Sequence, residues 1–236
     1  MRFLDSAARW LLVLCIPPLL LSASIAAALN CRGLYEYGFR KYNISQVTGL
    51  APAELSKAAA GLIRYFNSGE EYIRVTVIKD GKSFPLFNDR EVAHLKDVKA
   101  LFRLDYAILL VTALYALAYS AGYLIRRREK RRFLRAVFRG SVLTLVMIFV
   151  LGLLAVSDFP RFFWTFHLLS FANDFWLLDP TRDYLIMLFP EGFWFDATLA
   201  CALGAVAGAL ILGAVSGICL RRDGETTDRS SGSGCK

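Results

Sequence analysis

The sequence predicts an α-helical polytopic membrane protein with four transmembrane helices and a small extracytoplasmic α+β cap. Of its 236 residues, 56% are hydrophobic and only 20% are charged, whereas a soluble domain usually carries about 25% charged residues. The hydrophobic surplus is gathered into four runs, each close to the roughly 20 residues that cross about 30 Å of hydrocarbon. This arrangement indicates a membrane protein rather than a large soluble core.

The four apolar runs are 10–29, 106–125, 140–156 and 197–220. The first run is either a retained span or a cleaved signal peptide, and its length, well beyond the usual apolar core of about 7–15 residues, favours a retained span. The last run contains Gly204, Gly208, Gly213 and Gly217. Small residues at four-residue spacing allow helix backbones to approach closely.

Basic residues set the expected orientation. Segment 126–139 holds eight Lys or Arg residues, whereas segment 158–195 holds two. Because short cytoplasmic loops carry the positive excess, we expect both termini and segment 126–139 inside, and segments 30–104 and 158–195 outside. The net charge of +8 is then better explained by contact with anionic membrane lipid than by nucleic-acid binding.

These observations divide the chain into eight expected segments. They are 1–29 (first transmembrane helix), 30–104 (extracytoplasmic cap), 105–125 (second transmembrane helix), 126–139 (basic cytoplasmic loop), 140–157 (third transmembrane helix), 158–195 (aromatic interfacial loop), 196–220 (fourth transmembrane helix) and 221–236 (polar cytoplasmic tail). The interfacial loop has 13 aromatic residues, a density typical of the water–lipid boundary.

The cap is expected to contain a helix and a hairpin. Residues 52–67 place their apolar side chains on one helical face, and residues 72–78 alternate as in a strand. Asp80-Gly81 is a strong two-residue turn signal, after which 83–87 would return as the second strand. Asn88 or Asp89 would then cap a helix that runs through His94 into the second span.

His94 and His167, the only histidines, are both expected outside. Arg90, His94 and Asp97 share a helical face, so Asp97 could orient the His94 ring and fix its tautomer. If the segment after Pro160 is helical, His167 shares a face there with Phe171 and Asp174. A hydrogen-bonded structural histidine is the simpler interpretation of either ring alone, but two rings on one side of the membrane weaken it.

Other catalytic or metal-binding patterns are missing from the sequence. It has no GxSxG elbow and no HExxH, and none of its five cysteines forms a CxxC pair. Two histidines are a poor zinc site unless Asp97 or Asp174 supplies a third ligand. We therefore expect neither a metal nor a cofactor.

The second outer loop carries a more specific pattern. It consists of Phe166-His167, Phe171-Ala172-Asn173-Asp174-Phe175-Trp176, Leu178-Asp179-Pro180, Asp183 and Phe189-Pro190-Glu191. Together with Glu91, His94, Asp97 and Val98 of the first loop, it resembles the bacterial lipoprotein intramolecular transacylase family, and the resemblance extends over essentially the whole chain.

The resemblance implies an enzyme of the bacterial cell membrane with its active site on the outer face. Such an enzyme moves the sn-2 acyl chain of a diacylglyceryl-cysteine lipoprotein onto the cysteine α-amine, giving a lyso-form lipoprotein. The family's two catalytic histidines match His94 and His167. Arg90, Asp97, Asn173, Asp174, Trp176 and Asp179 are then candidates for binding or orienting groups.

His94, with Asp97 beside it, is the expected general base, and His167 is expected to serve the ester carbonyl or the leaving oxygen. Two other functions stay open. The chain could be a non-catalytic scaffold that binds a partner through its outer cap. It could also be a metal-dependent membrane hydrolase, whose activity a chelator would abolish.

Overall fold

The structure, a computed structural model, describes the backbone of residues 2–126 and 130–232 and the side chains of residues 5–122 and 130–222. Arg127 and Arg128 of the basic segment and Cys235 of the tail lie outside the described residues. The helices are α1 (Arg2–Asn30), α2 (Arg32–Lys41), α3 (Ile44–Thr48), α4 (Pro52–Phe66), α5 (Asp89–Arg126), α6 (Lys130–Ser157), α7 (Phe159–Ser170), α8 (Tyr184–Leu188) and α9 (Glu191–Gly232), and the strands are β1 (Thr76–Lys79) and β2 (Lys82–Pro85).

The predicted fold class is confirmed. In the described part of the chain, four helices are long and apolar enough to cross a membrane, namely Asp5–Asn30, Asp89–Gly122, Lys130–Ser157 and Glu191–Arg222. Helix α5 is about 57 Å long at 1.5 Å per residue, which exceeds the hydrocarbon thickness of about 30 Å. About 20 residues suffice to cross that thickness, so the apolar residues 106–125 can cross it without the polar first turns of α5, which carry His94.

Two predicted segments differ from the structure. The expected basic loop is helical from Lys130, where α6 begins, because Lys and Arg are good helix formers and continue the following apolar helix. The polar tail, expected as a segment separate from the fourth transmembrane helix, continues that helix as far as Gly232, where α9 ends. Adding residues to an existing helix carries no nucleation cost.

The chain forms two compact units. The bundle unit comprises Met1–Ser24, Ala107–Leu153 and Ala202–Lys236, and the cap unit comprises Ile25–Tyr106 and Leu154–Cys201. The core of the cap unit joins α4 to the hairpin, to α8 and to the first turns of α5. Its most deeply buried members include Ala59, Leu62, Val77 and Leu188.

Within the bundle unit, glycines of α9 let neighbouring helices approach. A Cβ atom at Gly204 or Gly208 would clash with Ser24 or Leu20 of α1. Gly213 and Gly217 face Ser141 and Phe138 of α6. At these glycines α9 therefore packs closely against α1 and α6.

The cap hairpin follows its turn signal. Thr76 pairs with Pro85 and Lys79 with Lys82, and Asp80 and Gly81 have φ angles of 52° and 75°, as a type I′ turn requires. The strands are shorter than predicted, because residues 72–75 are irregular. Helices α2 and α3 were not predicted.

Candidate functional site

Helix α7 presents His167 from its last turn. The side chain of Asp158 accepts a hydrogen bond from the backbone N–H of Arg161 at 3.0 Å, and this cap, with Pro160 in the first turn, begins the helix. Nδ1 of His167 donates to the carbonyl oxygen of Phe163, 2.8 Å away. A carbonyl only accepts, so Nδ1 carries the hydrogen and Nε2 of the neutral ring carries the lone pair.

The predicted helical face shared by His167 and Asp174 does not form, because α7 ends between these residues. The helix stops at Ser170, and Phe171 is extended, with φ −124° and ψ 132°. The backbone therefore leaves the helix before Asp174, which does not follow His167 along a helical face.

Helix α5 presents His94 from its second turn. As predicted, Asn88 caps this helix, since its side-chain oxygen accepts from the backbone N–H groups of Arg90 and Glu91 at 3.0 and 3.1 Å. Glu91 in turn accepts from the backbone N–H of Asn88 at 2.7 Å, completing a capping box. The His94 ring is buried, and its Nδ1 atom has no hydrogen-bond partner among the described residues.

The two imidazoles meet. Their ring centroids lie 6.2 Å apart, with 29° between the planes. Phe171 contacts both rings, at 4.9 Å from His94 and 5.5 Å from His167. The fold thus brings together two side chains that are 73 positions apart in the sequence. One small reacting group could contact both imidazole rings.

Two clamps hold the loop after α7 against α5. Arg90 donates to the backbone carbonyl of Asp174 at 2.6 Å, and Asn173 donates to the carboxylate of Asp97 at 2.9 Å. Arg90 lies one turn before His94 and Asp97 lies one turn after it, so the clamps flank the histidine. Both α5 residues were predicted near the site, and their contacts fix the loop rather than the ring.

Asp97 does not play the orienting role expected of it. In the described part of the structure it forms no hydrogen bond with His94, because its carboxylate is directed to Asn173. The tautomer that the structure does fix is that of His167, through the Phe163 carbonyl.

Aromatic side chains enclose His167. Its ring centroid lies 4.4 Å from Phe163, 5.4 Å from Phe166 and 5.0 Å from Trp176. Trp176 also packs edge-on against Trp164 at 4.7 Å. Such an apolar wall excludes water and strengthens every electrostatic interaction inside it.

Burial keeps both imidazoles neutral. Desolvation, with a smaller contribution from the neighbouring His167, lowers the pKa of His94 to about 4, against the upward effect of Asp97. Desolvation also lowers the pKa of His167, against the upward effect of its hydrogen bond to Phe163. At neutral pH each ring therefore has one nitrogen that can accept a proton. The N–H of His167 is engaged by Phe163, whereas that of His94 can donate.

A buried carboxylate network ties the start of α5 to α8 and the loop before it, and its carboxylates were not among the predicted site residues. Glu91 accepts from the backbone N–H of Leu185 at 2.6 Å, which ties the first turn of α5 to α8. Asp183 accepts from the side-chain amide of Asn88 at 2.9 Å and from the backbone N–H of Asp179 at 2.7 Å. Glu91 and Asp183 belong to the sequence pattern, but only burial identifies them as anchors.

Asp179 shapes its own turn. Its carboxylate accepts from the hydroxyl of Thr181 at 2.7 Å and from the Thr181 backbone N–H at 2.9 Å. These hydrogen bonds lower the pKa of Asp179. In the described part of the chain no hydrogen bond or ring contact joins Asp179 to either histidine, so its contribution is to the loop. Over the same residues, no group of three or more His, Cys, Asp or Glu side chains is placed to hold a metal ion.

Comparison with known proteins decides the family. A family model described as lipoprotein intramolecular transacylase Lit matches residues 10–194. The chain belongs to the lipoprotein intramolecular transacylase family. The resemblance drawn from the sequence pattern is confirmed.

One curated relative of this Lit-family chain matches over part of its length. An uncharacterised protein of Aquifex aeolicus (strain VF5) is 30% identical over 147 residues, which cover 62% of this chain and 63% of that protein. The match therefore spans somewhat under two thirds of the curated relative's length.

The fold is shared with a solved family structure. The membrane integral lipoprotein intramolecular transacylase Lit from Bacillus cereus matches with a TM-score of 0.82 at 20% identity, covering 94% of this chain and 99% of that one. Two variants of that protein, each with one histidine replaced, match with TM-scores of 0.77 and 0.76. This Lit-family chain is accordingly a multi-pass membrane protein.

Proposed function

We propose that the protein is an intramolecular transacylase of lipoproteins. It moves the sn-2 acyl chain of a diacylglyceryl-cysteine lipoprotein to the α-amino group of that cysteine and releases a lyso-form lipoprotein. Family membership supports the reaction class. The observation that carries the site assignment is the contact between the two buried imidazoles, 6.2 Å apart.

His167 is the general base in this proposal. Its Nδ1 hydrogen is held by the Phe163 carbonyl, so Nε2 is the atom free to take a proton from the attacking amine. This reverses the assignment expected from the sequence, which rested on Asp97 fixing the tautomer of His94. Because Asp97 bonds Asn173 instead, that argument no longer favours His94.

His94 is the hydrogen-bond donor and proton donor. The amine nitrogen attacks the ester carbon and forms the C–N bond while His167 takes the N–H proton. An N–H of neutral His94 stabilises the oxyanion. As the C–O bond breaks, the His167 imidazolium passes its proton to the lone-pair nitrogen of His94 while His94 gives its N–H proton to the leaving oxygen, so that no imidazolate forms. One proton thus moves from nitrogen to oxygen, and no group on the enzyme is acylated.

The substrate supplies the rest of the catalytic power. Amine and ester belong to one molecule, and alignment of such groups can provide effective molarities of about 10⁵ M or more. The aromatic wall around His167 suits an acyl ester, because apolar and aromatic side chains enclose it on several sides. The loop clamped by Arg90 and Asp97 would keep the substrate head beside the two rings.

We propose that this site lies on the outer face of the bacterial cell membrane, where it meets the substrate and membrane lipid. The charge contrast between segments 126–139 and 158–195 supports this orientation. Helix α1 contributes buried Leu12 and Val13 to a core with Ala136 of α6, which supports its retention as the first span. In single-cysteine variants, an impermeant thiol reagent applied to whole cells should label position 82 and spare position 130. Labelling of position 130 alone would refute this topology.

The activity is tested by mass spectrometry of a lipoprotein N-terminus in a host with and without this chain. We expect one acyl chain to move from the glyceryl group to the amine in the presence of the wild-type chain. Unchanged acylation at normal expression would support the scaffold alternative. Release of free fatty acid, abolished by a chelator, would support the metal-dependent hydrolase.

Glutamine substitutions separate the two histidine roles. A glutamine amide can donate a hydrogen bond but is not a base, so His94→Gln should retain more transfer than His94→Ala. His167→Gln should be as inactive as His167→Ala, with a loss on the order of 10²–10⁴-fold. Lys82→Gln, on the exposed hairpin turn, is the expression control. A partly active His167→Gln beside an inactive His94→Gln would reverse the roles.

A further inference from the structure

Four arginines converge in the bundle unit on a pocket that the acyl-transfer site does not use. The pocket has a volume of about 200 Å³ and lies between residues 6–13 of α1 and residues 132–139 of α6. The lining residues that matter here are Arg9, Arg132, Arg135, Arg139, Ser6 and Trp10. None of the described residues that line it is acidic.

The helix geometry brings these arginines together. Arg132, Arg135 and Arg139 are spaced by three and four residues, so they share one face of α6. Helix α1 runs beside that face, since Val13 packs with Ala136 and a Cβ atom at Gly140 would meet Ile16. Arg9 therefore enters the pocket from the opposite wall. Arg9, Arg135 and Arg139 carry like charges around one pocket, and like charges repel one another unless an anion offsets the repulsion.

We propose that this pocket binds the phosphate of an anionic phospholipid. Guanidinium groups present fork-shaped pairs of donors that match phosphate oxygens. The proposal concerns a separate site and does not depend on the acyl-transfer function.

A lipid fits the pocket better than a soluble phosphate does. Trp10 lines the pocket, is 56% exposed, and lies 5.8 Å below the guanidinium of Arg139. Interfacial tryptophans commonly mark the headgroup level. One turn further into the same helix, Leu14 is 59% exposed. A lipid whose phosphate met the arginines would thus find an apolar surface for its acyl chains directly beneath.

Native mass spectrometry of the full-length protein in detergent can resolve each bound lipid. We expect the first dioleoylphosphatidylglycerol to bind at least about tenfold more tightly than the first dioleoylphosphatidylcholine. At roughly a fivefold effect for each basic residue, Arg135→Gln and Arg9→Gln should each weaken that first event about fivefold. Arg131→Gln is the matched control, because Arg131 is exposed on the same helix and does not line the pocket.

Equal first affinities for the two lipids would overturn the proposal. So would equal losses for Arg135→Gln and Arg131→Gln, which would show a general effect of charge. Displacement of the first lipid by millimolar inorganic phosphate would overturn the assignment to a lipid. If Arg135→Gln does not yield folded protein, Arg135→Lys replaces it, because lysine keeps the charge and loses the paired guanidinium donors. Weaker binding of the first lipid to Arg135→Lys supports the site. Unchanged binding of the first lipid refutes it.

Discussion

Replacing Glu91 by glutamine tests whether the buried carboxylate holds the start of α5 in place. Glu91 is only 1% exposed, and its two oxygens accept separately from the backbone N–H groups of Asn88 and Leu185, at 2.7 and 2.6 Å. Glutamine offers one acceptor oxygen. Its NH₂ group would face the backbone N–H that the second carboxylate oxygen now accepts from. Two buried donors would then oppose each other, and the backbone N–H would have no acceptor.

An unsatisfied buried donor costs about 1–3 kcal/mol of unfolding free energy. Burial raises the pKa of Glu91, so removal of its charge offsets part of this loss. For a chain of this size we expect a fall in melting temperature of roughly 2–12 °C. The assay is thermal unfolding of the purified protein in detergent, followed by intrinsic fluorescence.

The matched control for that measurement is Glu36→Gln. Glu36 is paired with Arg32 on the surface of the cap unit, where the exposed glutamine can exchange its lost contact for water. We expect little change in melting temperature. Equal shifts for Glu91→Gln and Glu36→Gln would refute the argument from the unsatisfied donor.

Three further predictions follow from the same contacts. Burial lowers the pKa of His167, so the pH–rate profile of single-turnover transfer should fall on its acid side with an apparent enzyme pKa below about 6.5. This fall is separate from that caused by protonation of the substrate amine, which occurs near pH 7.7–8.0. An apparent enzyme pKa above about 6.5 would contradict this prediction. Asn173→Asp should slow transfer by placing two carboxylates together, and adding Asp97→Asn should restore most of the rate, whereas an inactive double variant would show that the clamp is not the cause. Gly140→Ala should destabilise the protein by about 1–3 kcal/mol, because its Cβ would lie 2.9 Å from Cβ of Ile16, whereas Gly152→Ala on the same helix, with nothing within 4 Å, should not lower the melting temperature.

Local signals in the sequence predicted much of the fold. The four spans follow from the length of the apolar runs, which the membrane thickness sets directly. The hairpin turn follows from Asp80-Gly81, because few residues tolerate positive φ at both positions. Helix α5 begins where Asn88 can cap it, and Glu91 supplies the other half of the capping box. In each case the determining interaction lies within a few residues.

Contacts between distant segments could not be predicted in the same way. Asp97 was expected to orient His94 because both lie on one helical face, but Asn173, 76 residues away, offers an amide donor to the same carboxylate. The end of α7 at Ser170 also depends on packing, since the extended Phe171 places its ring against His94. Periodicity shows which residues share a face and does not show what that face meets.

The low basicity of the two histidines suits a reaction that creates no net charge. Ester and amine become amide and alcohol, so the proton taken from nitrogen must soon reach oxygen. A histidine paired with a carboxylate would hold that proton more firmly, because the charged partner raises the pKa of the imidazole. The Phe163 carbonyl orients His167 without adding a full charge, and burial lowers the pKa of both rings. Protonated His167 is therefore a stronger acid and returns the proton readily. Neutral His167 is a weaker base, and this loss is offset because the amine and the ester already belong to one substrate.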